Sequence, residues 1–174
     1  MIKANLGCGN VFKEGYINVD HPRTIIKKDV EWDLEKLPWP FKDNYFDEVL
    51  MWNSLEHLSK SDEKIEEVFR ILKPGGYFIG SVPYAFCDGA VQNPEHRSFF
   101  TEKSFNFFCK DKTNKNYLDY RRYPLFYKKS VKLICLSNTP KTFLRTLIFF
   151  PFRQFLRYWI RNMYDEIHFT LIKL

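Results

Sequence analysis

The opening of the chain, MIKANLGCGNVFKEGYINVD, leaves little freedom in how it can fold. An apolar run, Ile2 to Leu6, breaks into Gly7-Cys8-Gly9, and a second run, Tyr16 to Asp20, ends in an acid. Parallel neighbouring strands usually need about a dozen residues or more between them, commonly a helix. The stretch from Gly9 to Gly15 has room for one helical turn at most, so the spacing predicts a pared-down α/β unit. A strand that runs into Gly-x-Gly lets a ligand approach the backbone where a side chain would block it. An acid closing the next strand can accept two ribose hydroxyls. The pattern therefore points to nucleoside binding. A dinucleotide fingerprint has a third glycine and places its acid about 20 residues further on. Here the third position is Phe12, and Asp20 follows Gly9 by eleven residues.

Further along, Val30 to Leu34 reads as a third short extended piece. Leu37-Pro38-Trp39-Pro40-Phe41 is a proline-stiffened connection, and Glu48 to Trp52 is a strand. After a loop from Asn53 to Ser61, Ile65, Val68, Phe69 and Leu72 fall at i, i+3, i+4 and i+7, the apolar stripe of a helix. Acids gather toward its start and Arg70 and Lys73 toward its end, as the helix dipole favours. Pro74-Gly75-Gly76 is the expected stop. Tyr77 to Val82 reads as a buried strand, Thr101 to Phe108 as a short capped helix, and Lys110 to Arg122 as a surface loop. Phe126 to Leu136 and Glu166 to Leu174 read as strands forming an antiparallel edge pair.

The 174 residues fit a single domain, and 45% hydrophobic content with 18 Phe argues for a packed core. Cys8, Cys87, Cys109 and Cys135 form no C-x-x-C pair, and the four histidines are scattered, so reduced thiols and no metal centre are expected. Cys8 reads as a packing residue within the loop. No leader precedes the glycine loop, which suggests a cytoplasmic site. The net charge of +6 is divided unevenly: residues 1–100 carry 12 Lys+Arg against 16 Asp+Glu, and residues 101–174 carry 15 against 5. The basic half suits an anionic acceptor, an acidic glycan or lipid headgroups.

In order, the chain presents a strand, a glycine loop, a strand with a terminal acid, Asp33-Leu34, Phe46-Asp47-Glu48-Val49, Leu55-Glu56-His57-Leu58 and Phe69-Arg70-Ile71-Leu72-Lys73-Pro74-Gly75-Gly76. This series, from about Ile2 to Pro83, resembles the class I S-adenosylmethionine-dependent methyltransferases, specifically the compact type 11 group. The resemblance implies a Rossmann-like α/β fold: a mainly parallel sheet with helices on both faces, shortened first crossovers and an antiparallel C-terminal edge strand. Residues 1–83 would be the cofactor-binding half and 84–174 the acceptor side. It also implies S-adenosylmethionine as cofactor. Gly7, Cys8 and Gly9 would lie against its methionine part, Asp20 on the ribose hydroxyls, Asp33 at the adenine amino group with Leu34 packing on the ring, and Asn53 near the sulfonium. Asn5 stands where the family often has an acid, so one contact to the cofactor's ammonium becomes neutral.

Methyl transfer from a sulfonium is an in-line displacement, and a hydroxyl acceptor also needs a base, for which histidine is the usual choice near neutral pH. His96 lies after the fifth strand, within a pattern similar to the His-x-x-x-Phe-Thr of related sequences. His57 lies beside Glu56, which could orient its ring. Arg97 could hold an anionic acceptor as a planar fork. His21 and His168 are assigned to structure.

The segment 141–163 carries five cations and no acid. Its longest apolar run, Leu147 to Phe152, is far short of the roughly 20 residues that span a bilayer. Arg153, Arg157 and Arg161 recur every fourth residue beside Phe152, Phe155, Leu156 and Trp159, which suits either a helix that covers the acceptor pocket or packs on the sheet, or a surface helix on anionic membrane. The leading reading is methyl transfer to a small-molecule or saccharide acceptor, such as a cell-envelope glycan or its lipid-linked precursor. An RNA methyltransferase and a non-catalytic cofactor-binding scaffold are the alternatives. The tetrapeptide of base-amine methylation is absent where Asn53-Ser54-Leu55-Glu56 stands.

Overall fold

The computed structural model describes residues 1–110, 125–136, 150–152, 155 and 161–174. Seven strands form one sheet: β1 Lys3–Leu6, β2 Ile17–Asp20, β3 Val30–Glu31, β4 Phe46–Trp52, β5 Leu72–Pro83, β6 Phe126–Ile134 and β7 Glu166–Lys173. Their spatial order is β3-β2-β1-β4-β5-β7-β6. The first five run parallel, and β7 pairs antiparallel with both β5 and β6. This is the mainly parallel sheet with an antiparallel C-terminal edge that the motif order implied.

Helices are few. Neither the β1–β2 nor the β2–β3 connection carries one, as their lengths required. Among the described residues, the α-helix of more than one turn is α1, Ser61–Ile71; α2, Asp88–Val91, is a single turn. In α1 the residues Ile65, Val68 and Ile71 bury their side chains against the sheet. The core continues through Leu6, Val49, Met51, Phe78 and Phe169, each almost completely buried.

The structure corrects the expected end of the helix. Leu72 is already extended, at φ −76° and ψ 144°, and opens β5, so Pro74-Gly75-Gly76 lies inside a strand segment and does not terminate a helix. A helix end leaves carbonyls without partners, and here the last strand supplies one. The buried Lys173 Nζ donates to the Phe69 carbonyl, the Leu72 carbonyl and Asn44 Oδ1, each at 2.7 Å. A cation at this end of a helix is also favoured by its dipole.

Arg70 ties α1 to the proline-rich connection. Its guanidinium forks onto Glu67 at 2.6 and 2.9 Å and donates to the Phe41 and Trp39 carbonyls and to Asp43. Glu67 in turn accepts the Trp39 backbone N–H at 2.7 Å.

Three further differences are local. The third extended piece is a strand only over Val30–Glu31, which frees Asp33 and Leu34 to turn toward the sheet end. The short helix near 101–108 is a 3-10 helix, Ser104–Phe108. Ser104 Oγ there accepts the Thr101 N–H at 3.0 Å. The loop at 111–122 and most of the basic segment 141–163, including Arg153 and Arg157, lie outside the described residues. Arg161, at the edge of that segment, pairs with Asp88 at 3.3 Å. No helix among the described residues is long and apolar enough to cross a membrane.

Candidate active site

β1, β2 and β4 end on the same side of the sheet, and the loops that follow them enclose a cavity of about 470 Å³. Gly7, Gly9, Asp20, Asp33, Leu34 and Asn53 line it, six of the residues expected at the cofactor. Gly7 sits at φ +66°, and a Cβ there would come within 2.6 Å of Ser54 Cβ, so the loop closes on Ser54 only because this residue has no side chain. Around Gly9, by contrast, nothing lies within 4 Å of where a Cβ would stand, and its N–H is held by Asp20 Oδ2 at 2.7 Å.

Asp20 Oδ1 accepts the His21 N–H at 2.7 Å and lies 3.2 Å from Thr24 Oγ1. The single Thr24 hydroxyl proton has a better acceptor in the His21 carbonyl, at 2.7 Å. A carboxylate has about four acceptor positions. Two are taken by backbone N–H groups, and the Thr24 hydroxyl and the Cys8 thiol, weaker donors, lie at the carboxylate where a vicinal diol would bind. Asp33 Oδ1 accepts the Glu35 N–H at 3.0 Å, and its other oxygen lies 3.8 Å from His21 Nε2. The open space at Gly9, the carboxylate of Asp20 and the apolar wall of Leu34 together fit a nucleoside with a charged tail.

Two expected cofactor residues face elsewhere. The Asn5 amide is buried and donates to the Val11 carbonyl and Asn18 Oδ1, both at 3.0 Å, so it fixes the glycine loop from behind. Cys8 is 5% exposed and lies with Asn5 along a separate hollow on the far side of the loop. Burial, reinforced by Asp20, pushes its thiol up to about 11, which removes it as a nucleophile near neutral pH.

Beside the large cavity is a second of about 300 Å³, lined by Asn53, Glu56, His57, Pro83, His96, Asp165 and Glu166 among others. Asn53 and His57 line both. Asn53 adopts φ +46°; its amide donates to Glu166 Oε1 at 3.0 Å while its carbonyl accepts the Ser81 hydroxyl at 2.8 Å, so it is clamped between β5 and β7. The two histidine rings meet edge to face, with centroids 4.7 Å apart. They are brought together by the Glu56 carbonyl, which accepts the Arg97 and Ser98 N–H groups at 2.8 and 3.1 Å.

Burial first, then the neighbouring His96, holds the His57 imidazole below its ordinary value. His96 Nδ1 lies 2.8 Å from the Ala90 carbonyl, which fixes the proton on Nδ1 and leaves Nε2 as the basic nitrogen. Glu56 is 2% exposed, its Oε2 meets no hydrogen-bond partner among the described residues, and burial pushes its carboxyl up to about 7. Among the described hydrogen bonds none joins Glu56 to the His57 ring, so the expected orienting contact is not made.

Arg97 also differs from expectation. It donates to Glu35 Oε1 at 2.9 Å and lines the large cavity rather than the smaller one. His21, assigned to structure from the sequence, and Glu35, Ser54 and Leu58, not singled out there, complete the large cavity. All four directly follow a residue that was singled out, and that adjacency was the available signal. His168, expected to be structural, lies within β7 and contacts Glu166 Oε2 at 2.8 Å.

Residues 6–80 match the family model of a methyltransferase domain. Over 44 residues the chain is 48% identical to the ubiquinone/menaquinone biosynthesis C-methyltransferase UbiE of Chromobacterium violaceum, a match covering 25% of this chain and 17% of that enzyme. The chain thus spans under a fifth of the relative it matches. Among solved structures, a SAM-dependent methyltransferase from Archaeoglobus fulgidus superposes with a TM-score of 0.64 at 18% identity, covering 98% of this chain and 85% of that one. The Haloferax volcanii complex of the Trm112 methyltransferase activator with a methyltransferase gives a TM-score of 0.61 at 16% identity, covering 99% and 82%. At these identities the structural likeness establishes the fold.

Proposed function

We propose that this chain, a class I methyltransferase whose type 11 domain occupies residues 6–80, binds S-adenosylmethionine in the large cavity and methylates an acceptor that enters from the smaller one. The observation that carries this reading is the shared wall: Asn53 and His57 face both cavities. Asp20 would hold the ribose diol, Asp33 and Leu34 the adenine, and the Gly7-Cys8-Gly9 backbone the methionine portion. Once bound, the cofactor supplies an electrophilic methyl group on a sulfonium, whose departure requires no proton.

The chain's own task is then to place the acceptor and deal with its proton. His57, whose burial and neighbour disfavour the charged imidazole, and His96, whose Nδ1 is engaged by the Ala90 carbonyl so that Nε2 is left as the acceptor, are the groups positioned to accept a proton from a hydroxyl. The acceptor we propose is a small molecule or saccharide. The acids around the smaller cavity argue against an anionic group at the reacting end, so the net basic charge of residues 101–174 would act on more distant parts of an anionic acceptor, such as a lipid-linked saccharide. The glycan and membrane contacts of segment 141–163 belong to this proposal.

The test is transfer of radiolabelled methyl from S-adenosylmethionine into cell-envelope extract. His96→Gln and His57→Gln should each lower transfer about 10²-fold, with His96→Gln leaving S-adenosylhomocysteine affinity nearly unchanged. Equal transfer by wild type and both variants would remove the histidines from the chemistry.

A further inference from the structure

We infer that Glu56, His57 and His96 form a binding site for one divalent transition-metal cation, at the acceptor end of the cofactor cavity. One donor atom from each lies within 4.8 Å of the other two. Zinc bound by two imidazoles and a carboxylate at about 2.0–2.2 Å keeps its donors roughly 3.4 Å apart. Small side-chain rotations therefore close the set.

Several features make this a built site. Histidine ligands characteristically donate their other ring N–H to a carbonyl, which fixes the tautomer. His96 does so to Ala90, and the Glu95 carbonyl faces the His57 ring. The backbone bonds from Arg97 and Ser98 to the Glu56 carbonyl hold the two histidine-bearing segments in register without using any ligand atom. Glu56 Oε2 is a buried acceptor with no partner among the described residues, an arrangement that is costly unless something positive comes to meet it. Asp165 and Glu166 add negative potential to the cavity wall, and none of the described residues lining it is Lys or Arg.

Three protein ligands leave a coordination position open toward the cavity, as in zinc sites that act on substrates. Two nitrogen donors favour zinc and its transition-metal neighbours over magnesium or calcium. The existence of this site is independent of the methyl-transfer proposal; its role rests on it. A cation there would polarise an acceptor hydroxyl, a task that otherwise falls to the free imidazoles.

The experiment is calorimetric titration of chelator-stripped protein with zinc chloride near neutral pH, with S-adenosylhomocysteine titrated into the same samples. Wild type should take up one equivalent with Kd of about 1 µM or tighter. Glu56→Gln, His57→Gln and His96→Gln should each weaken binding by at least about 10- to 100-fold, the loss that changing a mere outer-shell partner of a ligand typically causes. Magnesium chloride should give no comparable heat. Wild-type binding weaker than about 10 µM, or binding undiminished in Glu56→Gln and His96→Gln, would overturn the site. Retained S-adenosylhomocysteine binding shows that the variants are folded. Its loss in wild type while zinc still binds would defeat the methyltransferase reading alone.

Discussion

In the presence of a chelator, Glu56→Gln should make the protein more stable than wild type by about 3 kcal/mol at about pH 8, with the gain vanishing below about pH 4.5. The buried carboxyl stands at about 7, against 4.5 for the ordinary side chain, so the folded state resists its ionisation. Because the folded value is raised, wild-type stability is intact while the group is protonated and falls as pH rises from about 4.5 to about 7. Beyond that the full cost is carried. The groups facing it are His57, His96 and Glu166, and the Glu166 charge works in the same direction as burial. Glutamine keeps the shape and cannot ionise. Urea unfolding across this pH range checks the result, and a variant no more stable at alkaline pH would mean that Glu56 is solvated. Adding zinc should reverse the order at neutral pH, since wild type then gains the binding energy.

Gly80→Ala should destabilise the fold by about 3 kcal/mol or more, from overpacking where no neighbour can move aside. Gly80 lies in β5 between Met51 of β4 and Phe169 of β7, in the middle of the sheet. A Cβ there would stand 2.1 Å from the Met51 carbonyl oxygen and 2.7 Å from Phe169 Cζ. The first is backbone committed to the ladder. The second belongs to a buried ring packed against Phe78 and Phe105, with centroids 4.9 and 4.5 Å away. Gly89→Ala is the control: the nearest atom to its Cβ would be Cys87 Sγ at 3.6 Å, so its midpoint in urea should barely move. Equal midpoints for the two variants would refute the packing account.

The first half of the sheet was legible because short apolar runs ended by glycine or an acid allow few pairings, and the antiparallel edge was legible from two alternating runs. The helix end was not. Leu72 is at once the last residue of the apolar stripe and the first residue of β5, and the Lys173 side chain that satisfies the carbonyls there comes from the far end of the chain. The same holds in the site. Asp20 ends β2 and Asp33 and Leu34 follow closely after β3, places that follow from pattern, whereas Arg97 is claimed by Glu35 and Asn5 by Asn18 through contacts that no local spacing encodes. The expectation of scattered histidines came from reading along the chain. His57 and His96 become a pair only through backbone bonds to Glu56.

The central claim is that the large cavity holds S-adenosylmethionine through Asp20. Calorimetric titration with S-adenosylhomocysteine and, separately, with NAD tests it directly. Saturable binding of S-adenosylhomocysteine, none of comparable affinity for NAD, and a weakening of about 1–3 kcal/mol in Asp20→Ala, from the unpaired ribose hydroxyls, are the predicted results. Tighter binding of NAD, or unchanged S-adenosylhomocysteine affinity in Asp20→Ala, would contradict it.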